Sequence, residues 1–264
     1  VWGGWALTQR RWARAGVALA LGAGAKLLPI LAAPWLLLRG RLKVVGVAGA
    51  TLVVLAIPYL GAGRLAFRGL AAYGARWRGN DGLFALFVAG FEQIWPISSD
   101  PVDLPPWAVA GVKALVGTVP GGNPHAVWPD EACFAAAKLV ALLLFAGGWL
   151  WATLRAQTLY GFFGPVTLAL FLVAPVIHPW YLLWPLAFAA LATAGEGAPA
   201  WATAARVWAL TAWLAYLPRM DWLSGAPPVW HGAVWWRLLE YAPVFAVLAL
   251  AAARRYKIRP PRRA

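Results

Sequence analysis

The chain has 264 residues, 62% of them hydrophobic and only 12% charged, with a mean hydropathy of +0.66, whereas a water-soluble domain carries about 25% charged residues. That balance excludes an ordinary soluble enzyme and points to an all-α, polytopic transmembrane helical bundle, since apolar runs of spanning length cross a bilayer as helices. The formal net charge of +14 would suggest nucleic acid in a soluble chain; here Arg and Lys flank apolar runs and face anionic headgroups, so the expected partner is the lipid bilayer and no nucleic acid.

The chain opens with Val1 and its only methionine is Met220, so it reads as the C-terminal part of a longer protein. The single cysteine, Cys133, excludes an internal disulfide and a cysteine-based zinc site. Trp2, Trp5 and Trp12 among Arg10, Arg11 and Arg14 predict an interfacial segment on the cytoplasmic side. Ala15–Leu38 is apolar but holds Lys26, Pro29 and Pro34, with Arg39, Arg41 and Lys43 after it. One straight span would put a basic cluster on each side of the membrane; a broken hairpin turning near Lys26–Pro29 keeps both clusters inside.

Val44–Leu60 is predicted to span outward and to end at Pro58-Tyr59. Residues 61–129 then form a long outer region. Arg64, Phe67, Arg68, Leu70 and Tyr73 alternate basic and apolar character at helical spacing, which predicts an amphipathic interfacial helix. Gly82–Phe91 predicts a short apolar helix and Pro105–Val119 a short surface helix, with proline-rich breaks between. Further spans are expected at Ala132–Leu154, Thr158–Ile177, Trp180–Ala194, Ala200–Leu217 and Ala233–Ala253. The basic tail, residues 254–264, and the turn Gly195–Pro199 are placed in the cytoplasm; His178, Asp221 and the long 61–129 region are placed outside. Residues 1–264 are read as one transmembrane domain.

The residues that carry chemistry lie mostly on that outer side. His178-Pro179-Trp180-Tyr181 sits between two apolar runs, and an ionisable side chain there marks a functional site by default. His178 is a candidate ligand for a phosphate; the competing structural role is an interfacial histidine bonded to a backbone carbonyl, with Trp180 and Tyr181 as interface anchors. Arg76 and Arg78 run against the positive-inside trend, and guanidinium forks match phosphate oxygens. Asn80 and Asp81 either line the same site or cap the helix after them. Lys26 either snorkels to the interface or marks the inner end of a polar cavity. Asp130-Glu131 fits a helix N-cap. No acidic, His or Cys spacing suits a metal, and no nucleotide-binding glycine loop is present, so neither metal nor cofactor is expected.

Three stretches in this order resemble the polyprenol-phosphate-sugar-dependent glycosyltransferases of the GT-C superfamily, especially the bacterial mannosyltransferases of glycosyltransferase family 87. They are Gly22-x-Gly24-x-Lys26-x-x-Pro29 before Arg39-x-Arg41, Trp77 with Asn80-Asp81-Gly82-Leu83-Phe84, and His178-Pro179-Trp180-Tyr181-x-x-Trp184. The resemblance implies a multi-span helical fold in the bacterial plasma membrane with an outward-facing cavity. It implies inverting transfer of a hexose, mannose in that family, from a polyprenyl-phosphate donor to a lipid or glycan acceptor without a metal. The family's presumed base is an aspartate in the first outer loop, expected upstream of residue 1, so no catalytic base is assigned here. The competing classes are a lipid or solute transporter or flippase, which broken helices and internal symmetry would mark, and a non-catalytic membrane scaffold.

Overall fold

The computed structural model describes residues 2–76, 82–96, 100–117, 123–192, 198–214 and 234–257, with the backbone alone at residues 64, 73, 76, 234–236 and 255–257. Among these residues the regular structure is helical, apart from isolated bridge positions at Val102, which pairs antiparallel with Val127, and at Val176. Two stretches, Leu42–Gly63 and Pro129–Arg155, are long and apolar enough to cross a membrane. By its internal contacts the chain falls into two compact units.

The first unit comprises Val1–Ala71 and Trp149–Phe163. It holds α1 (Trp2–Thr8), α2 (Trp12–Ala25), α3 (Ala33–Leu38) and α4 (Leu42–Ala56). α2 stops at Lys26, whose backbone is extended (φ −151°, ψ 123°). A 3-10 turn, Leu28–Ala32, follows with Pro29 in its first turn, where a missing N–H costs nothing. The second limb folds back, so Ala33 and Leu36 line the same small cavity, about 170 Å³, as Leu19 and Ala23. The broken hairpin expected from Lys26, Pro29 and Pro34 is therefore present. α2 also lies close against α4: a Cβ on Gly16 would stand 2.7 Å from the Val44 carbonyl oxygen.

Side-chain donors close the exposed backbone in this unit. The Trp35 indole N–H donates to the Ala156 carbonyl at 2.9 Å, the same carbonyl that Arg39 Nη2 bonds, and Trp149 donates to the Leu31 carbonyl at 2.9 Å. α4 gives way after Ala56 to 3-10 geometry over Ile57–Phe67, kinked at Gly63 (φ 50°, ψ −129°). The amphipathic helix expected from Arg64 therefore begins only at Arg68, as α5 (Arg68–Arg76). The left-handed φ at Gly63, a conformation glycine adopts without penalty, interrupts the helix before it.

The second unit comprises Ala72–Gly148 and Gly164–Ala264. Its helices are the end of α5, then α6 (Gly82–Glu92), α7 (Pro106–Val116), α8 (Pro129–Arg155) as far as Gly148, α9 (Leu159–Val173) from Gly164, α10 (Leu183–Ala192), α11 (Ala200–Thr211) and α12 (Val234–Lys257). α8 opens with the expected cap, made by Glu131: its carboxylate accepts the Trp128 N–H at 3.0 Å and pairs with Lys113 Nζ at 2.7 Å. α9 ends at Val173, four residues before the expected Ile177. The reason is Pro175, which disfavours helical geometry at Ala174. Three apolar clusters of described residues fill the unit. One gathers Phe171, Ile177, Leu182, Trp208 and Val244; a second packs Phe84 and Val88 of α6 on Ala137 and Ala141 of α8; a third joins Val109, Val127 and Ala132. Most of the expected Gly195–Pro199 turn, Asp221 and its loop, and the tail beyond Lys257 lie outside the described residues.

Gly82 sets how closely α6 can approach α12, because a Cβ there would stand 2.4 Å from the Tyr241 ring. That ring is buried and lies 5.2 Å from Trp208, so it has little room to yield. Gly82→Ala is expected to lower stability by about 1–3 kcal/mol, the usual cost of overpacking. Gly46→Ala, on an α4 face with nothing within 4 Å, is expected to be neutral or stabilising by about 0.5–1 kcal/mol; thermal unfolding of both variants in detergent checks the contrast. Glu131→Ala removes the cap and the partner of Lys113 together and is expected to cost about 1–3 kcal/mol. Glu131→Gln, which keeps an acceptor for Trp128, loses less in the same assay.

Candidate functional site

Pro175 and Pro179 bracket Val176, Ile177 and His178 and keep that short run out of helix. His178 is extended (φ −106°, ψ 142°) and caps a 3-10 turn, Pro179–Leu182, with its carbonyl accepting the Tyr181 N–H at 2.8 Å. Ile177 and Leu182 are fully buried on either side and anchor the turn in the core. The half-buried imidazole stacks on the Trp180 indole, 4.4 Å between centroids and 7° from parallel, and meets the Tyr181 ring edge-on at 5.3 Å. Tyr181 in turn stacks on Phe171 at 6.0 Å. His178, Trp180 and Tyr181, named from the sequence, thus form one cluster. Either protonation form of the imidazole can donate a hydrogen bond.

Beside this cluster, in the same unit, an open groove of about 850 Å³ runs between α6 and α12. Ala85, Leu86 and Ala89 line one wall; Ala242, Phe245 and Ala246 line the other. The lining is apolar apart from Glu92 on α6 and Arg237 and Tyr241 on α12. Leu83, Tyr241 and Phe245 belong both to the groove and to the core around Ile177 and Leu182, against which Tyr181 and Trp184 also pack. The groove and the histidine cluster therefore share a supporting core. Its volume lies within the roughly 300–1,000 Å³ of small-molecule sites.

Two ionisable residues that the sequence reading passed over hold this unit together. Lys138, buried in α8, donates to the carbonyls of Gly74 (2.6 Å), Ala75 (2.9 Å) and Leu115 (2.7 Å). These lie in the last turns of α5 and α7, so one ammonium meets the negative ends of two helices. Its Nζ also lies 4.7 Å from the Phe134 ring centroid. Glu240 of α12, 1% exposed, accepts the indole N–H of fully buried Trp208 at 2.8 Å, and its own backbone carbonyl accepts the Thr211 hydroxyl at 2.8 Å. Each had a visible signal, an ionisable residue inside a largely apolar helical run; Glu240 shares its run with Arg237.

The remaining sequence candidates are distributed otherwise. Lys26 belongs to the first unit, exposed at the break after α2. Arg76 is the last residue of α5, one position beyond the Ala75 carbonyl held by Lys138. Arg78, Asn80 and Asp81 lie outside the described residues, as does the side chain of Arg76. Among the described residues, no three His, Cys, Asp or Glu side chains cluster in a way that could hold a metal ion. No protein-family model, curated protein or solved structure matches the chain.

Proposed function

We propose that the chain is part of a GT-C-type membrane glycosyltransferase that moves a hexose from a polyprenyl-phosphate donor to a lipid or glycan acceptor on the outer face of a bacterial plasma membrane. The observation that carries this reading is the pairing of an open apolar groove with a histidine cluster on one core. A prenyl chain needs a long apolar trough, here α6 against α12. Its phosphate needs donors at the trough's polar surroundings, and His178 supplies one. The sequence resemblance in the His178–Trp184 stretch supports the same assignment, as do the two helices of spanning length.

In this reading a general base, a role given to none of the described residues, takes the proton of an acceptor hydroxyl. The hydroxyl oxygen bonds to the anomeric carbon as the carbon–oxygen bond to phosphate breaks. The bonding pair leaves with the phosphate, and a hydrogen bond from His178 stabilises the charge that grows there. Stacking on Trp180 keeps the imidazole oriented before the donor arrives, so little reorganisation accompanies transfer. Arg76 and Arg78 are the further phosphate donors proposed from the sequence, with Asn80 and Asp81 as polar lining.

His178→Ala in the full-length protein is expected to lower transfer about 100- to 1,000-fold, the usual effect of losing one preorganised donor, with helix content and membrane insertion unchanged. The check is a transfer assay in membranes against a panel of polyprenyl-phosphate sugars; near-normal turnover would return His178 to the interfacial anchors. The orientation has its own test. Cysteines at Asn123 and Ala198, both exposed, are expected to react with an impermeant thiol reagent from opposite sides of sealed vesicles, Asn123 from outside and Ala198 from the cytoplasmic side. Equal labelling from one side would sink the topology. The native thiol, Cys133, is buried.

A further inference from the structure

We propose that Lys138 is a positioning residue for the groove: by gathering the ends of α5 and α7 it holds α6 in place as one of the groove's walls. An ammonium has three N–H donors and no acceptor. The three bonds of Lys138 go to three carbonyls in the final turns of two helices. Those carbonyls have no partner within their own helices. In sequence, α6 lies between the two gathered helices, so both ends of the segment that carries it are tied to one point on α8.

α6 touches α8 on both sides of that point. Phe84 and Val88 pack on Ala137 and Ala141, the residues that flank Lys138 along the helix, and Phe84 meets Phe134 edge-on at 5.1 Å. Residues 84 and 88 share a face of α6, while Ala85, Leu86 and Ala89 turn the other way and line the groove. The face that meets the Lys138 region and the face that meets the groove thus belong to one short helix of 11 residues. Without the ammonium, α5 and α7 lose their common anchor, and α6 rests chiefly on the apolar contacts of Phe84 and Val88, with the Cys133 thiol of α8 reaching the Trp95 carbonyl just beyond it at 3.7 Å. Apolar packing is non-directional; the three hydrogen bonds are what fix its register.

The ligand arm of the test rests on the reading that the groove takes a prenyl chain; the positional arm does not. In nanodiscs, spin labels placed on the full-length protein at Leu86 and Ala246 measure the groove's width, and a pair at Leu183 and Leu210, on α10 and α11, serves as control. For Lys138→Met the Leu86–Ala246 distance distribution is expected to lose its single maximum while the control pair keeps its own. Crosslinking of a diazirine-bearing farnesyl phosphate to α6, measured on unlabelled protein, is lost in the same variant. Lys138→Arg, which keeps charge and donors, restores both readouts in part. An unchanged Leu86–Ala246 distribution overturns the proposal, and so does equal loss at both label pairs, which marks a general structural role. If the groove responds to Lys138→Met but the native protein captures no probe, the positioning role stands and the prenyl reading fails.

Discussion

A helix that ends away from water leaves carbonyls with no partner, and that constraint runs through this molecule. The last turn of every α-helix presents up to four such groups, and an unmet one in an apolar setting is costly. The chain meets them with long side chains sent from other helices. Lys138 serves α5 and α7, Trp35 and Arg39 serve the end of α8, and Trp149 serves the 3-10 turn after α2. Each of these links joins segments far apart in sequence. Apolar packing alone leaves helices free to rotate and slide; these polar ties fix where they stop.

The candidate site inherits its geometry from such choices. Two prolines deny helix to Val176–His178, the 3-10 turn brings Trp180 and Tyr181 against the imidazole, and Ile177 and Leu182 pin the turn into the core. The groove is shaped in a related way, since Gly82 lets the Tyr241 ring come where a methyl group would stand. Rigid apolar scaffolding with a few oriented polar groups is the usual form of a ligand site. It is also the form the proposed transfer requires, with an extended lipid tail on one side and a charged reacting group on the other.

Most of the helical order was legible in the sequence because apolar length and proline position are local signals. The α2 break at Lys26, the short helices α6 and α7 and the α8 cap all follow from residues within a few positions of the feature. Boundaries failed where a second local signal competed. Pro175 shortened α9, and Gly63 delayed α5. The groove was not legible, since it depends on which faces of α6 and α12 meet across a separation of about 150 residues. Lys138 and Glu240 were visible as charges in apolar runs, but their partners are backbone carbonyls and an indole on other helices, and no spacing rule announces those.

The Trp208–Glu240 link has a consequence for how the protein is made. A carboxylate buried away from water without a donor is costly. Glu240 lies in α12, the last described helix, and the indole that meets it comes from α11, the helix emerging just before it. On a ribosome delivering the chain from its N-terminus, α11 is already present when α12 leaves the exit tunnel. The acid therefore meets its donor on arrival, and α12 is drawn into place by a helix synthesised ahead of it.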